Sequence, residues 1–154
     1  MDAMTLLARC RSASKDLESL QGRIDRLREV AMSPGGHGGD GAGVRSTRER
    51  DRMAAYAAAL DGLTRAYDAR KRAAAVEVAA SAVIIDRVLW GHATHAAVVH
   101  AYYIRRESYK EIAADMHLSV SRVKNVRLEA AVWLRLVEED DVAALLPPDY
   151  GKED

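Results

Sequence analysis

Four polar residues near the C-terminus have the types and the spacing of side chains that contact DNA bases: Ser121, Arg122, Lys124 and Asn125. Arginine and lysine donate to guanine O6 and N7 or to phosphate, asparagine pairs with adenine, and serine bonds to either. On a helix capped by Ser119, they lie opposite an apolar face made by Val123, Val126, Ala130, Trp133, Leu134 and Val137. This pattern predicts a recognition helix that enters the major groove with its first turns toward the bases.

The preceding segment carries the signals of a helix-turn-helix. Ser108 and Glu111 form a capping box, in which the serine hydroxyl accepts from the Glu111 amide and the glutamate carboxylate accepts from the Ser108 amide. A helix is therefore predicted to begin at Tyr109. His117 stands at a turn that needs a left-handed backbone, which histidine tolerates better than most residues. Ser119 caps the second helix and is also a predicted DNA contact.

Basic residues beside the first motif helix are the expected phosphate contacts, namely Arg105, Arg106 and Lys110. The whole chain has 23 basic and 23 acidic residues. This balance conceals a segregation, because residues 105–135 hold seven basic and four acidic residues, whereas residues 136–154 hold one and seven. The expected partner is double-stranded DNA.

Three histidines, His92, His95 and His100, suggest a competing chemistry, that of a metal site or an enzyme. No acidic or cysteine ligand accompanies them at a suitable spacing, and the sequence has a single cysteine, Cys10. Nothing in the pattern places a serine, a histidine and an aspartate as a catalytic triad. The glycine-rich stretch 33–43 lacks both the preceding strand and the ending of a phosphate-binding loop. The sequence therefore predicts no enzyme, no metal site and no cofactor.

Composition and periodicity predict an all-α protein, since alanine is abundant and Leu, Val, Arg and Glu recur. Apolar residues at steps of three and four predict a coiled-coil helix over roughly 5–31, with its seam at Cys10, Ala13, Leu17, Leu20, Ile24, Leu27 and Ala31. A second helical run begins near Ser46 or Thr47 and continues to about Trp90. The simplest arrangement is an antiparallel hairpin joined by the flexible connector 33–43, and its alanine-rich second helix favours self-association as a dimer.

The chain is predicted to contain a helical oligomerisation arm at 1–90, a helix-turn-helix domain at 91–137 and an acidic tail at 138–154. Thr94 is available to cap the first short helix of the domain. The tail is either a solvated end or a segment that screens the recognition helix or contacts RNA polymerase. Neither a membrane span nor a signal peptide is recognisable, so a cytoplasmic protein without a membrane partner is expected.

The segment YYIRRESYKEIAADMHLSVSRVKNVRLEA, residues 102–130, resembles the fourth conserved region of bacterial sigma factors, which reads the upstream promoter element. The whole chain resembles phage and prophage late-transcription regulators of the RinA and ArpU type, in which a helical arm precedes a similar ending. The resemblance implies a phage-encoded transcription factor, an activator, that binds DNA upstream of late or packaging genes and contacts the RNA polymerase of the bacterial host. It places the DNA-reading helix at 119–128.

The alternative is the small terminase subunit of a phage, which also joins a helix-turn-helix to a helical oligomerisation region and recognises packaging DNA. A promoter-dependent reporter separates the two functions, because a terminase subunit should not activate transcription. A ring-like higher oligomer favours the terminase.

Overall fold

A computed structural model describes residues 1–33 and 42–152 of the chain, with the backbone alone for residues 42–46. Its elements are α1 (Ala3–Met32), α2 (Ala42–Val88), α3 (Ala93–Val99), a π-helical segment (His100–Ile104), α4 (Tyr109–Met116), α5 (Val120–Leu134) and α6 (Glu139–Ala143). These residues contain no strand, which confirms the all-α prediction. None of the helices so described has the length and apolar character needed to cross a membrane.

The start of α2 differs from the sequence-based expectation. The helix begins at Ala42 rather than at Ser46 or Thr47, and it ends at Val88. The predicted flexible connector 33–43 lies largely outside the described residues.

The chain divides into two compact units, and both long helices contribute to each. The large unit joins Met1–Ala13 to Arg72–Asp154, and the small unit is Ser14–Lys71. The sequence pattern places a boundary at residue 91, whereas the last turns of α2 are grouped with the helix-turn-helix. Their apolar residues belong to the same core as α5, and this packing is not visible in the local pattern.

The main core of the large unit joins residues from distant parts of the chain. Leu6 and Leu7 of α1 cluster with Ile85 of α2, with Leu89 just after it and with Leu134 of α5, and all five are buried. Complete burial of one such side chain contributes about 1.5–3 kcal/mol. Leu6 and Leu7 therefore support the C-terminal end of α5.

Three apolar residues of the segment that follows α5 belong to this core, which differs from the expectation of a solvated end. Val142 of α6 is fully buried, and Leu145 and Leu146 pack against the same cluster. The N-terminal amino group of Met1 lies 3.6 Å from the carboxylate of Glu139. The acidic residues of α6 occupy its first turn, where the helix dipole favours negative charge. The segment is thus acidic on its surface and apolar where it packs.

A buried carboxylate joins both ends of the large unit. Glu77 of α2 has no exposed surface, and its Oε1 accepts hydrogen bonds from Arg9 Nε at 3.0 Å and from the Tyr150 hydroxyl at 2.6 Å. The Arg9 guanidinium also lies 5.6 Å from the centroid of the Tyr150 ring. Burial of a carboxylate is costly unless charge and hydrogen bonds compensate for lost hydration. These contacts supply both, and they tie Tyr150 to α1 and α2.

Substitution of Tyr150 by phenylalanine is expected to remove a pH-dependent part of the stability. Burial and the hydrogen bond to Glu77 raise the pKa of Tyr150 to about 12. Because the folded pKa exceeds the unfolded value near 10, this stability is complete below about pH 10 and is lost as the pH rises toward 12. Urea unfolding at several pH values should show a decline above pH 10 that is smaller in Y150F. An identical decline in both proteins would contradict the contact.

The helix before the helix-turn-helix differs from its prediction at its start and in the geometry of its last turns. It begins at Ala93, so Thr94, the predicted cap, lies in its first turn, and the side chain of His92 at the N-cap position makes no capping hydrogen bond. Its continuation, His100–Ile104, is π-helical and is followed by Arg105, whose amide donates to the His100 carbonyl at 3.0 Å. Such wide turns cannot be read from apolar spacing at the 3.6-residue period.

The small unit is a pair of antiparallel helices. Asp16 Oδ2 lies 2.9 Å from Arg70 Nε, whereas Leu27, further along α1, lines a groove with Ala59, which precedes Arg70 in α2. Residue numbers thus rise in one helix as they fall in the other. Of the predicted seam residues in this unit, Ile24 is buried, and the others are half-buried: Leu17, Leu20, Leu27 and Ala31.

Candidate nucleic-acid interface

Helix α4 begins in the predicted capping box. The Glu111 amide donates to Ser108 Oγ at 3.2 Å, and the Ser108 amide donates to Glu111 Oε2 at 2.6 Å. The hydrogen bond with the Ser108 backbone is the main reason why the pKa of Glu111 lies below its ordinary value, and the hydrogen bond with the Ser108 side chain is the second. Ile112 and Ala113, which follow at once, are buried. The start and the inward face of α4 are therefore fixed within one helical turn.

The turn between α4 and α5 has the left-handed residue that the sequence predicts. His117 has φ 55° and ψ 41°, and its side chain is exposed. The amide of Leu118 donates to the carbonyl of Ala113 at 2.9 Å, which closes the turn. The end of α4 and the direction of α5 thus depend on one backbone conformation.

We expect H117G to keep the free energy of unfolding or to raise it by up to about 1 kcal/mol, since glycine adopts this conformation without a steric penalty. H117V should lower it by about 1–2 kcal/mol, because a β-branched residue is strained at positive φ. The exposed helical Ala114 provides a control, at which glycine should cost about 1 kcal/mol. Thermal unfolding followed by circular dichroism measures all three. Equal losses from A114G and H117G would show that the turn is not left-handed in solution.

Helix α5 is capped at one end and buried along its inner side. Ser119 Oγ accepts from the Arg122 amide at 3.1 Å, so this hydroxyl is used as a cap. Val123 and Val126 cluster with Ile112 of α4, and all three are fully buried. Beyond them, Ala130 and Leu134 enter the main core. Two separate apolar clusters thus hold the inner side of α5 from its second turn to its last.

The outer side of the first two turns of α5 carries the predicted base-contacting residues, and all of them are exposed: Ser121, Arg122, Lys124 and Asn125. Arg122 Nη1 lies 3.7 Å from Glu129 Oε1, which is a long contact between half-exposed groups. The Lys124 ammonium lies 5.5 Å from the centroid of the Tyr109 ring. The structure therefore brings these four residues to one exposed part of a single helix.

The three flanking basic residues have different surroundings. Lys110 is exposed on α4, and Arg105 is exposed with its Nε donating to Glu107 Oε1 at 3.0 Å. Arg106 has φ 60° and is partly buried, and its Nε donates to the carbonyl of Cys10 at 3.2 Å. The sequence groups Arg106 with the phosphate contacts, whereas in the fold it binds α1. Lys110 and Arg105 are the two that face solvent.

A cluster that the sequence did not indicate lies behind this surface. Arg127 of α5 donates to the hydroxyl groups of Tyr109 at 2.7 Å and of Tyr103 at 2.9 Å, and it lies 4.9 Å from the Tyr102 ring centroid. The Arg11 guanidinium of α1 lies 3.8 Å from the same centroid. These five residues form the tyrosine–arginine cluster, which joins α1, the π-helical segment, α4 and α5.

One weak signal for this cluster exists in the sequence. Arg127 follows Val123 by four residues and Val126 by one, so it lies at the edge of the buried face of α5 and not at its centre. An arginine at such an edge, with several tyrosines 18 to 25 residues earlier in the chain, suits stacking and hydrogen bonding by a guanidinium. The contribution of Arg11, about ninety residues away in the chain, leaves no local trace.

Two of the three histidines acquire acidic neighbours that their spacing does not reveal. His95 Nε2 lies 2.8 Å from Glu129 Oε2, and His100 Nε2 lies 3.1 Å from Asp86 Oδ1. The hydrogen bond with His95 lowers the pKa of Glu129. In residues 1–33 and 42–152, no three His, Cys, Asp or Glu side chains come together in a group that could hold a metal ion. The contact of His95 joins α3 to α5, and the contact of His100 joins the π-helical segment to α2.

Protein-family models, curated proteins and solved structures give no significant match to this chain. Its chemistry is therefore inferred from the geometry of α4 and α5. Guanidinium, ammonium, amide and hydroxyl groups on the outer side of α5 offer the donors and acceptors that suit base edges and phosphates. Because both helices have fixed caps and buried inner faces, these groups are presented on a rigid support.

Proposed function

We propose that this protein binds double-stranded DNA through α4 and α5, with α5 as the recognition helix in the major groove. One observation supports this most directly: two capped helices joined by a left-handed turn leave Ser121, Arg122, Lys124 and Asn125 exposed at the start of the second helix. Helix-turn-helix proteins read bases with this part of the recognition helix. The zero net charge of the whole chain does not oppose the proposal, since a binding surface depends on local charge.

The proposed contacts divide into base readers and phosphate contacts. Arg122 and Asn125 are the base readers, with guanine and adenine as their preferred bases. They are three residues apart in α5, so they lie on neighbouring turns of one face. A site that contains a guanine and an adenine is therefore expected. Lys110, Lys124 and Arg105 are the phosphate contacts.

We further propose that binding regulates transcription of phage or prophage genes, as an activator. The resemblance of residues 102–130 to the sigma-factor region that reads promoters supports this role, and so does the resemblance of the whole chain to regulators of the RinA and ArpU type. The antiparallel helix pair of the small unit equally suits the oligomerisation region of a small terminase subunit, which is the second candidate. A reporter gene behind the selected DNA site separates them, since activation requires the regulator.

Selection of binding sites from a random pool of duplex DNA tests the proposal. The full chain should enrich a defined sequence, and a variant with S121A, R122A and N125A should not. R65A is the matched control for loss of a surface charge, because Arg65 lies on α2 of the small unit, is 81% exposed and pairs with Asp61. Enrichment of no sequence by the full chain, or of the same sequence by the triple variant, would refute the assignment of α5.

A further inference from the structure

An open groove of about 660 Å³ runs along the small unit between α1 and α2. Leu27 and Val30 line it from α1, and Ala59, Gly62 and Leu63 line it from α2. Two arginines of α1, Arg23 and Arg26, complete its lining. The groove is thus apolar at its centre, with basic side chains along α1.

The two walls of the groove differ in size. Leu27 and Val30 are large, and Val30 is 51% exposed. On the facing wall, Ala59 and Gly62 are small, and a Cβ atom built at Gly62 would meet no atom within 4 Å. Space next to exposed apolar side chains is characteristic of a surface that receives another helix.

The small unit also has little core of its own. Among its described residues, Ile24 is the one apolar side chain that is buried, while Leu20, Leu60 and Leu63 are half-buried. Two helices bury one stripe each against the other, and a unit of this size normally needs a further layer or a partner. The half-buried leucines therefore indicate that another surface packs against the small unit.

We infer that this groove binds the same groove of a second copy of the chain, so that two α1–α2 pairs form a four-helix dimer. The wall of large side chains on α1 and the wall of small side chains on α2 lie at the same height along the helix pair. A two-fold axis parallel to the helices places α1 of one copy against α2 of the other, with Leu27 and Val30 over the partner's Ala59 and the partner's Gly62. The groove is then complementary to itself, as an isologous interface requires.

The available area is sufficient for such a dimer. The part of α1 in the small unit, from Ser14 to Met32, is about 27 Å long, and a face two helices wide measures roughly 20 Å. Two such faces bury roughly 1,100 Å², which exceeds the ~1,000 Å² expected of a specific interface. This inference stands on the small unit alone, and it does not require that α5 binds DNA.

The test is the mass of the full chain in solution, measured by light scattering and by sedimentation at micromolar concentration. The wild type should be a dimer. Because a side chain at Gly62 enters open space on a helix, G62L should fold while blocking the partner's Val30, and it should raise the dimer dissociation constant about tenfold or more. V30E, on the opposite wall and at a half-exposed position, should do the same.

V83E is the matched control for V30E, since Val83 is a partly exposed valine in the part of α2 that belongs to the large unit and does not line the groove. Its dimer should be unchanged. A monomeric wild type would overturn the inference and would leave the groove for another protein. A dimer that tolerates both G62L and V30E, or an assembly larger than two, would overturn it as well. Circular dichroism of each variant confirms that the helices are retained.

Discussion

Leu134→Ala is expected to lower the free energy of unfolding by about 2–5 kcal/mol, which is a large part of the 5–15 kcal/mol typical of a domain. Leu134 is fully buried where the last turn of α5 meets Leu6, Leu7 and Leu89. Truncation removes its apolar surface and leaves a cavity that residues from three other helical segments cannot fill. Both tryptophans, Trp90 and Trp133, belong to the large unit, so their fluorescence during urea unfolding reports this unit.

The neighbouring L136A provides the control. Leu136 is 77% exposed, and the same chemical change there should alter the free energy of unfolding by less than about 0.5 kcal/mol. A comparison of the two variants separates burial from any general effect of losing a leucine near the end of α5. Similar losses from L134A and L136A would mean that α5 is rotated relative to the core described above.

Arg122→Ala is the substitution with the largest expected effect on the proposed DNA binding. It should reduce discrimination at one base position by about 1–3 kcal/mol, or roughly five- to 150-fold in relative affinity. Its stability should hardly change, because the side chain is 51% exposed and its contact with Glu129 is long. Fluorescence anisotropy on the selected duplex and on its single-base variants measures the effect. Unchanged discrimination at every position would show that α5 does not read bases through Arg122.

Lys110→Ala is the complementary measurement, since Lys110 is an exposed residue of α4 proposed to contact phosphate. It should weaken binding to all sequences alike and should reduce the slope of log affinity against log salt by about one. Loss of base discrimination in K110A, with a normal salt slope, would mean that Lys110 reads a base and does not contact phosphate.

The parts of the fold that sequence predicts well are those set by neighbours in the chain. The capping box at Ser108 and Glu111, the left-handed His117 and the cap at Ser119 each depend on residues within four positions. The buried face of α5 follows from apolar residues at helical spacing, and it includes Val123 and Val126 as predicted. Such features need no knowledge of the rest of the molecule.

The parts that sequence does not predict depend on residues far apart in the chain. Arg106 has the type and position of a phosphate contact, yet the carbonyl of Cys10, 96 residues away, accepts from it. Likewise, Tyr150 has its hydrogen-bond partner on α2, 73 residues earlier. Composition and periodicity describe each helix alone, so they give the exposed face of a helix but not the helix that covers it. For this reason the exposed group on α5 was predicted together, whereas of the three flanking basic residues only Arg105 and Lys110 are exposed.

The core that joins Leu6 and Leu7 to Leu134 and Val142 also determines the order in which the protein can fold. During synthesis, Leu6 and Leu7 leave the ribosome long before these partners exist, whereas both helices of the small unit are complete by Lys71. Contacts between residues so distant in sequence form slowly, because a long loop must first be closed. Helix α5 therefore acquires its full support late in synthesis, and Leu6 and Leu7 of a nascent chain are open to chaperones until then.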